Sequence, residues 1–311
     1  MNPQRKKVLV TGARRPVARR LIRMLHRHAK VVAVDRRCPK HLPVDVRCEA
    51  VDLRRRALDH LFRRHRFDAI IHAGTLTSLR AGESLHHAYN VVAVNRLLKL
   101  AVQKSVKKVI ILSSAELYGH RPANTVFLSE DAPLLAGERF AAWRDLVQMD
   151  LAGCVTAWRE PATEVVVARP VNVVGSGIDS MAMRYLRRPQ VPVVMGFDPQ
   201  VQLIHIEDFC SAIQHLMAPG IRGAVNIAGP PPIRISQALN FLGRQRIPVP
   251  RTALTLALKS AWPVRASGFR DEELDLIQYS CIVSDRHLRD TTGFEPSYTL
   301  KDTLRGVDEP F

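Results

Sequence analysis

The stretch that decides the fold is residues 7–25, which read KVLVTGARRPVARRLIRML. Val8–Val10 is a short run rich in β-branched residues, typical of a buried parallel strand. Gly12 interrupts the run, and apolar residues then recur at helical spacing, at Val17, Leu21, Ile22 and Leu25. This pattern predicts a strand, a tight turn and a helix, which together open a nucleotide-binding βαβ unit.

An acidic residue ends the next predicted strand. Val31–Val34 is a second buried run, and Asp35 follows it, 23 residues after Gly12. At this spacing a carboxylate hydrogen-bonds the adenosine ribose of NAD and repels the 2′-phosphate of NADP. Arg36 and Arg37 come next and could instead accept that phosphate, so the residues alone leave both cofactors open.

Buried strands and helices alternate along the rest of the chain. Further strands are predicted at 46–51, 69–74, 107–112 and 165–169, and helices at 16–29, 54–66, 85–104 and 138–157. The alternation predicts an α/β fold, a Rossmann-like doubly wound parallel sheet of about seven strands. Residues 252–264 are unusually apolar, which favours a buried lid helix over the alternative of a membrane-contacting face.

The hydropathy pattern, the N-terminal residues and the cysteines indicate where in the cell the protein is expected. No apolar run approaches the roughly 20 residues that cross a bilayer, and the charged residues 5–7 leave no apolar signal region before the first strand. The five cysteines include no Cys-x-x-Cys pair, which predicts reduced thiols and no metal site. We therefore expect a cytoplasmic protein without a signal peptide or a transmembrane helix.

Positive charge is concentrated at the start of the chain. Residues 1–66 hold 20 Lys and Arg against five acidic residues, so they carry +15 of the net +17. A one-sided cationic surface attracts a polyanion such as RNA, an anionic lipid surface or an acidic protein face. The alternative is a genomic bias toward arginine, since the chain holds 36 Arg and only 10 Lys.

Five later segments carry a resemblance that spans nearly the whole chain. They are SSAELYG at 113–119, RPVNVVG at 169–175, QLIHIED at 202–208, VNIAG at 225–229 and GFEP at 293–296. In this order and spacing they resemble the extended short-chain dehydrogenase/reductase superfamily, in particular the NAD-dependent epimerases and dehydratases. The resemblance implies a dinucleotide-binding core at 1–177 and a mixed region at 178–311. A small substrate-type lobe would comprise 178–203 and 230–282, and 204–229 and 283–311 would return to the core.

The resemblance also implies where a cofactor would lie. It implies NAD(H) rather than NADP(H), no metal, and contacts from the glycine turn, the second and third strands and the substrate side of the cleft. The implied residues are Thr11, Gly12, Arg14, Arg15, Asp35, Arg36, Asp52, Leu53, Ala73, Arg144 and Pro170. His72 falls in the same pattern as a structural residue.

The glycine turn departs from the family pattern. The three glycines expected there fall on Gly12, Arg15 and Ala18. The second glycine normally lets the backbone approach the pyrophosphate, so Arg15 would either fill that site or, with Arg14, clamp phosphate by its charge. Pro16 suits the first turn of a helix but removes one more N–H from the phosphate site.

The catalytic pair of the resembled family is missing. In that family a tyrosine moves the proton, and a lysine four residues later lowers the pKa of its phenol, which otherwise lies near 10. The expected positions hold Phe140 and Arg144, none of the five tyrosines has a lysine four residues on, and no lysine occurs between Lys108 and Lys259. Arginine is a poor substitute for that ammonium group.

Three hypotheses follow for the function. The first is a catalytically impaired scaffold, assembly or regulatory subunit that acts through its basic surface and retains NAD(H) as a structural ligand. The second is an active oxidoreductase or epimerase that uses Ser114 and Glu116 on a nucleotide-sugar or a hydroxy- or keto-lipid-like substrate. The third is a polyanion-binding module, peripheral to a membrane or an assembly. The resemblance further implies a homodimer formed through helices 85–104 and 138–157, in which Trp143 and Leu146 either face the partner or are buried in the core.

Overall fold

The computed structural model of the protein describes residues 5–77, 82–138, 141–261 and 271–310. The strands are β1 (Lys7–Thr11), β2 (Lys30–Asp35), β3 (Arg47–Ala50), β4 (Ala69–His72), β5 (Lys108–Leu112), β6 (Glu164–Pro170), β7 (Asn172–Val174), β8 (Gln190–Val194), β9 (Gln200–Val201), β10 (Leu203–His205), β11 (Gly223–Ile227), β12 (Ile233–Arg234) and β13 (Gln245–Val249). The helices are α1 (Pro16–Leu25), α2 (Ala57–Arg64), α3 (Glu83–His86), α4 (Ala93–Gln103), α5 (Ala141–Arg159), α6 (Met181–Leu186), α7 (Ile206–His215), α8 (Ile235–Phe241), α9 (Arg251–Ala261), α10 (Arg286–Thr292) and α11 (Leu300–Arg305).

Seven of these strands form one parallel sheet. Their order is β11-β6-β5-β4-β1-β2-β3, and every neighbouring pair is parallel. Successive side chains of β1 face opposite layers, so Val8 and Val10 pack in the core under α1 and α7, while Leu9 packs in the core under α2, α4 and α5. The prediction of a doubly wound parallel sheet is confirmed. The strand order reverses between β1 and β4, and this switch point creates a crevice at the carboxyl ends of the strands.

The C-terminal part adds three small pairs of strands outside that sheet. β8 pairs in parallel with β13, β9 pairs antiparallel with β12, and β7 pairs in parallel with β10. β11 instead joins the central sheet. The boundaries 178–203 and 230–282 for a separate lobe stay a prediction.

Helix α9 corrects the expectation of a buried helix at 252–264. Leu254 is buried, but Leu256 is 69% exposed and most of the other residues from 252 to 260 are also exposed. Leucine and alanine alternate here with Thr252, Thr255 and Lys259, so only one face of the helix is apolar enough to be buried. Residues 262–264 of the predicted segment lie outside the described residues.

The cysteines also differ from the prediction of reduced thiols. Cys38 and Cys48 form a disulfide with their Cα atoms 5.9 Å apart. The sequence separation of ten residues gave no signal, because the loop between β2 and β3 is what brings the two together. Cys154, Cys210 and Cys281 are free thiols, and burial raises the pKa of each, that of Cys154 to about 11.

Helix α5 buries the two residues that were considered for a dimer interface. Trp143 and Leu146 lie in the core, so the core alternative is confirmed for them. The exposed apolar side chains of this helix are Leu151, Val155 and Trp158, the last of them 77% exposed. The homodimer stays a prediction. No helix in the described ranges is long and apolar enough to cross a membrane.

A buried ion pair joins the end of β6 to α5. Two guanidinium nitrogens of Arg169 donate to the two carboxylate oxygens of Asp150, at 2.6 and 3.0 Å. Both residues are almost fully buried. Arg169 also donates to the Tyr118 hydroxyl at 2.8 Å, and that hydroxyl donates to Asn226 on β11. Ser113, at the end of β5, donates to the same carboxylate at 2.6 Å. This network links the strand ends that shape one half of the crevice.

We predict that Asp150→Asn lowers the free energy of unfolding by about 3–5 kcal/mol, because the substitution leaves the Arg169 guanidinium buried without its counter-charge. Urea denaturation followed by circular dichroism measures this. Arg159→Gln, on the exposed end of the same helix, is the matched control and should change stability by less than about 0.5 kcal/mol. Equal effects of the two substitutions would contradict the prediction.

Candidate functional site

The crevice at the carboxyl ends of the strands contains two cavities. The outer cavity has a volume of about 490 Å³ and lies over the ends of β1, β2 and β4. The inner cavity has a volume of about 480 Å³ and lies between the end of β5, helix α5 and the C-terminal part. Among the described residues that line them, Arg15 is the one that both cavities share.

Gly12 makes the tight turn that the sequence predicts. Its φ is +72°, and a Cβ atom there would lie 2.6 Å from the Cα of Gly74, beyond the end of β4. The first glycine is therefore required by a close approach of two chain segments as well as by its backbone conformation.

The backbone N–H groups of this turn are engaged within the protein. Ala13 donates to the carbonyl of Val34 at 3.2 Å, and Arg15 donates to the carbonyl of Gly12 at 2.8 Å. The N–H of Arg14 donates to the Asp35 carboxylate at 3.0 Å. Pro16 has no N–H to give. Residues 13–16 thus offer no free backbone donor to the crevice.

Arg15 reaches across the junction between the two cavities. Its side chain is partly buried, and its Nη2 donates to the carbonyl of Thr75 at 3.1 Å. Burial lowers the pKa of Arg15, and the charge of Asp35 partly opposes that effect.

Asp35 and Tyr89 form one wall of the outer cavity. The second carboxylate oxygen of Asp35 accepts from the N–H of Arg36 at 2.7 Å. The Arg36 guanidinium hydrogen-bonds the Tyr89 hydroxyl, and the Arg54 guanidinium lies over the Tyr89 ring at 4.6 Å. The sequence analysis missed Tyr89, since a lone tyrosine inside a helical pattern gives no signal.

Of three further predicted cofactor contacts, one lines the outer cavity and two line neither cavity. Leu53 lines the outer cavity, but Asp52 lines neither cavity. Hydrogen bonds from Arg54 hold the Asp52 carboxylate and lower its pKa to about 2. Thr11 also lines neither cavity, because its buried hydroxyl is 2.7 Å from His72 Nδ1. Burial lowers the pKa of His72 to about 4, which fits a neutral structural residue.

The inner cavity brings Ser114 and Glu116 together with a histidine that the sequence analysis missed. The backbone N–H of Glu116 donates to Ser114 Oγ at 3.2 Å. The Glu116 carboxylate lies 2.6 Å from His120 Nε2 and accepts from the Asn172 amide at 2.8 Å. His120 Nδ1 lies 2.7 Å from the carbonyl of Tyr279. The spacing of four residues between Glu116 and His120 was the available signal.

Both partners of His120 are acceptors, so the imidazole is held as a cation beside a carboxylate. Burial alone would raise the pKa of Glu116, but the charge and hydrogen bond of His120 outweigh it and lower that pKa. Burial alone would lower the pKa of His120, but Glu116 outweighs it and raises that pKa. Ala73 and Pro170, both predicted near a cofactor, also line this cavity.

The structure corrects the position assigned to the missing lysine. Phe140 lies outside the described residues. Arg144 is exposed and lines neither cavity, whereas Trp143 lines the inner cavity. A one-residue shift along a helix turns a side chain by about 100°, and the sequence motif alone could not fix that register.

All five tyrosines and all ten lysines lie in the described ranges, and none of them supplies the missing pair. Burial raises the pKa of Tyr118 to about 12, and its hydroxyl is bonded to Asn226 and Arg169. The Tyr185 hydroxyl donates to the carbonyl of Pro192 at 2.9 Å. No lysine lines either cavity in the described part of the chain. Among the described residues no group of histidine, cysteine and acidic side chains could hold a metal ion.

The comparisons with known proteins agree with this architecture. A family model described as the NAD dependent epimerase/dehydratase family matches residues 8–228. Uncharacterized proteins of Mycobacterium bovis and Mycobacterium tuberculosis are 29% identical over 322 residues, which cover 98% of this chain and 83% of the relatives.

Solved structures are similar at lower identity. The Bordetella bronchiseptica enzyme WbmG in complex with NAD has a TM-score of 0.77 at 15% identity and covers 98% of this chain and 93% of its own. The dTDP-glucose 4,6-dehydratase DesIV of Streptomyces venezuelae, with NAD and TYD bound, has a TM-score of 0.76 at 19% identity, with coverage of 97% and 95%. Likeness at this identity shows the shared fold.

We predict that Glu116→Gln lowers the free energy of unfolding by about 2 kcal/mol near pH 5.5 and by much less near pH 9. The raised pKa of His120 and the lowered pKa of Glu116 make the ion pair fully stabilising between their ordinary values of 6.5 and 4.5. Its contribution is lost as the pH rises through the pKa of His120 or falls through that of Glu116.

Urea denaturation of both proteins at a series of pH values measures this difference. Glu207→Gln removes an acid paired with Arg20 rather than with a histidine, so its effect should be nearly the same at pH 5.5 and pH 9. A difference for Glu116→Gln that does not depend on pH would refute the assignment of a charged His120.

Proposed function

The chain belongs to the NAD dependent epimerase/dehydratase family, and we propose that it binds NAD(H) in its crevice without the family's hydride chemistry. One observation carries this proposal: the inner cavity is lined by neither a free tyrosine hydroxyl nor a lysine, and all tyrosines and lysines are accounted for. The protein would then act as a scaffold, assembly or regulatory subunit.

The outer cavity fits the adenosine half of the cofactor. Asp35 at the end of β2 lies where a carboxylate can accept from ribose hydroxyls, and Leu53 and Val51 supply an apolar wall for a base. Gly12 and Gly74 keep the floor of the cavity low, because neither has a side chain there. NAD(H) would supply a redox-active ring when bound, and the chain's own part is to orient and shield it.

Glu116 is the group that would have to replace the tyrosine as acid or base. Its carboxylate already accepts hydrogen bonds from His120 and Asn172. The lowered pKa makes it a weaker base at neutral pH, since proton transfer is most effective when the pKa lies near the working pH. The geometry therefore favours binding over turnover.

We predict that purified protein binds NADH in a fluorescence or calorimetric titration and shows no turnover with nucleotide-sugars. Loss of a general acid–base group alone slows a reaction by roughly 10²–10⁴-fold. Asp35→Ala should weaken binding by about tenfold or more, because it removes the ribose acceptor and one anchor of the glycine turn. Asp45→Ala, an exposed acid paired with His26, is the matched control. Turnover at an ordinary enzymatic rate, lost in Glu116→Gln, would overturn the proposal in favour of the active enzyme.

A second candidate function rests on the opposite edge of the sheet. Exposed cations crowd the amino-terminal edge of β1 to β3, where α1 and α2 end: Lys6, Arg23, Arg27, Lys30, Arg47, Arg63 and Arg66. Several of them are close neighbours, since the Lys30 N–H donates to the carbonyl of Lys6. The pKa of Lys7 is lowered mainly by burial and further by the nearby charges of Lys30 and Arg47. We call this set the basic edge.

We propose an anionic lipid surface as the partner of the basic edge. Single-stranded RNA is bound through bases that stack on aromatic rings, and Phe67, the ring nearest in sequence to these cations, is buried. Val44, fully exposed in the adjacent loop, offers an apolar contact instead. Long-range attraction to headgroups needs only the clustered charge.

We predict that Arg27→Glu/Arg66→Glu weakens binding to phosphatidylglycerol vesicles by at least about 30-fold, because each basic side chain near an anionic surface contributes about 1 kcal/mol. Vesicle co-sedimentation measures this, with phosphatidylcholine vesicles as the uncharged reference. Arg246→Glu/Lys301→Glu reverses two exposed charges elsewhere and should have little effect. Equal losses in both variants, or binding of RNA but not of vesicles, would contradict the proposal.

A further inference from the structure

The turn at residues 13–16 cannot hold a diphosphate in the usual way. In a dinucleotide-binding turn, backbone N–H groups and the helix N-terminus receive the phosphates. Here the N–H groups of Ala13, Arg14 and Arg15 bond to the protein, and Pro16 has none. If the chain binds a dinucleotide, only the N–H groups of Val17 and Ala18 at the start of α1 remain for its phosphates, so a side-chain donor would have to replace the lost contacts.

We propose that the guanidinium of Arg15 is that donor, and that it holds a nucleoside diphosphate group at the junction of the two cavities. The inference rests on the proposed NAD(H) binding and adds the residue that makes it possible. Arg15 is the lining residue common to both cavities, and a dinucleotide that occupies both must pass its diphosphate over this side chain.

Among the described residues, the Arg15 guanidinium has no carboxylate as a direct partner, so a bound anion could provide its counter-charge. In the described part of the chain no carboxylate oxygen lies within 4.0 Å of its guanidinium, whereas Arg184, which lines the inner cavity, and the buried Arg169 each have such a partner. Asp35 is close enough to influence its pKa, but both of its oxygens accept backbone N–H groups. A partly buried cation without a paired charge is costly, and a bound anion relieves that cost.

The remaining donors of Arg15 are accessible to a ligand. Its hydrogen bond to Thr75 uses one N–H of the five that a guanidinium offers. None of its nitrogens is among the side-chain atoms that are both buried and unpartnered. The bond to Thr75 therefore fixes the side chain across the junction, while the other N–H groups can bond phosphate oxygens in the bidentate manner of arginine.

The opposite interpretation is that Arg15 blocks the crevice. The two interpretations predict opposite effects of restoring the family's glycine. If Arg15 blocks, Arg15→Gly opens the junction and strengthens NADH binding. If Arg15 is the phosphate ligand, Arg15→Gly weakens it, because the backbone donors of the turn stay engaged.

The experiment is a calorimetric titration of the full chain with NADH, ADP and adenosine at 50 and 200 mM salt. We expect Arg15→Gly to weaken NADH and ADP binding by about tenfold to hundredfold, the range for a lost hydrogen bond to a charged group, and to leave adenosine binding nearly unchanged. Arg15→Lys keeps the charge but not the planar fork and should lie between wild type and Arg15→Gly. Arg222→Ala, at an exposed arginine just before β11 that lines neither cavity, is the control and should bind as wild type does.

The outcomes separate this inference from the proposal on which it rests. Tighter NADH binding by Arg15→Gly than by wild type overturns the phosphate role of Arg15 and leaves NAD(H) binding intact. Equal weakening of adenosine and ADP also overturns it, since the effect would then be structural. Failure of wild type and of every variant to bind any of the three ligands refutes NAD(H) binding itself. If Arg15→Gly does not fold, the comparison of Arg15→Lys with wild type decides the same question.

Discussion

The buried ion pair between Arg169 and Asp150 is the interaction on which the inner half of the crevice depends. It ties the end of β6 to α5, through Ser113 to the end of β5, and through Tyr118 and Asn226 to β11. Because two charges out of water tolerate only a narrow geometry, these elements have little freedom to shift against one another. The same network holds the Tyr118 hydroxyl, and burial raises its pKa although Arg169 and Asn226 oppose that effect. The one tyrosine of the Ser-Ser-x-x-x-Tyr-Gly motif is thereby removed from proton transfer.

The outer half of the crevice depends on a different constraint, the contact between Gly12 and Gly74. The turn after β1 keeps its left-handed glycine because a Cβ atom would enter the backbone beyond β4. The fold does not require a glycine at the second position of the family pattern, since the role of that glycine is to let phosphate approach the backbone. An arginine at that position is therefore compatible with the fold, and what it changes is the way in which a ligand is held.

The sequence predicted the fold well because its signal is local. Short β-branched runs separated by helical periodicity specify a doubly wound sheet whatever the loops do, and all seven sheet strands lie within or next to predicted or motif segments. The site was less predictable. Asp35, Leu53 and Ser114 lie at the crevice because strand ends are easy to locate, whereas Tyr89, Trp143 and His120 depend on helix register and on loops. The disulfide of Cys38 depends on a tertiary contact that no sequence spacing encodes, whereas the polar residues of α9 already indicate its exposed face.

The placement of positive charge argues against a single origin for it. A genomic preference for arginine would spread cations over the whole surface, yet eleven of the 20 Lys and Arg of residues 1–66 form two separate groups. Arg14, Arg15, Arg36 and Arg37 line the outer cavity, and the basic edge lies at the opposite ends of the same strands. Cations at helix ends also stabilise the α1 and α2 dipoles, which accounts for some of the second group but for none of the first. A crevice that lacks the tyrosine and lysine pair but has four arginines around its outer cavity is the arrangement that the proposed binding of an anionic dinucleotide requires.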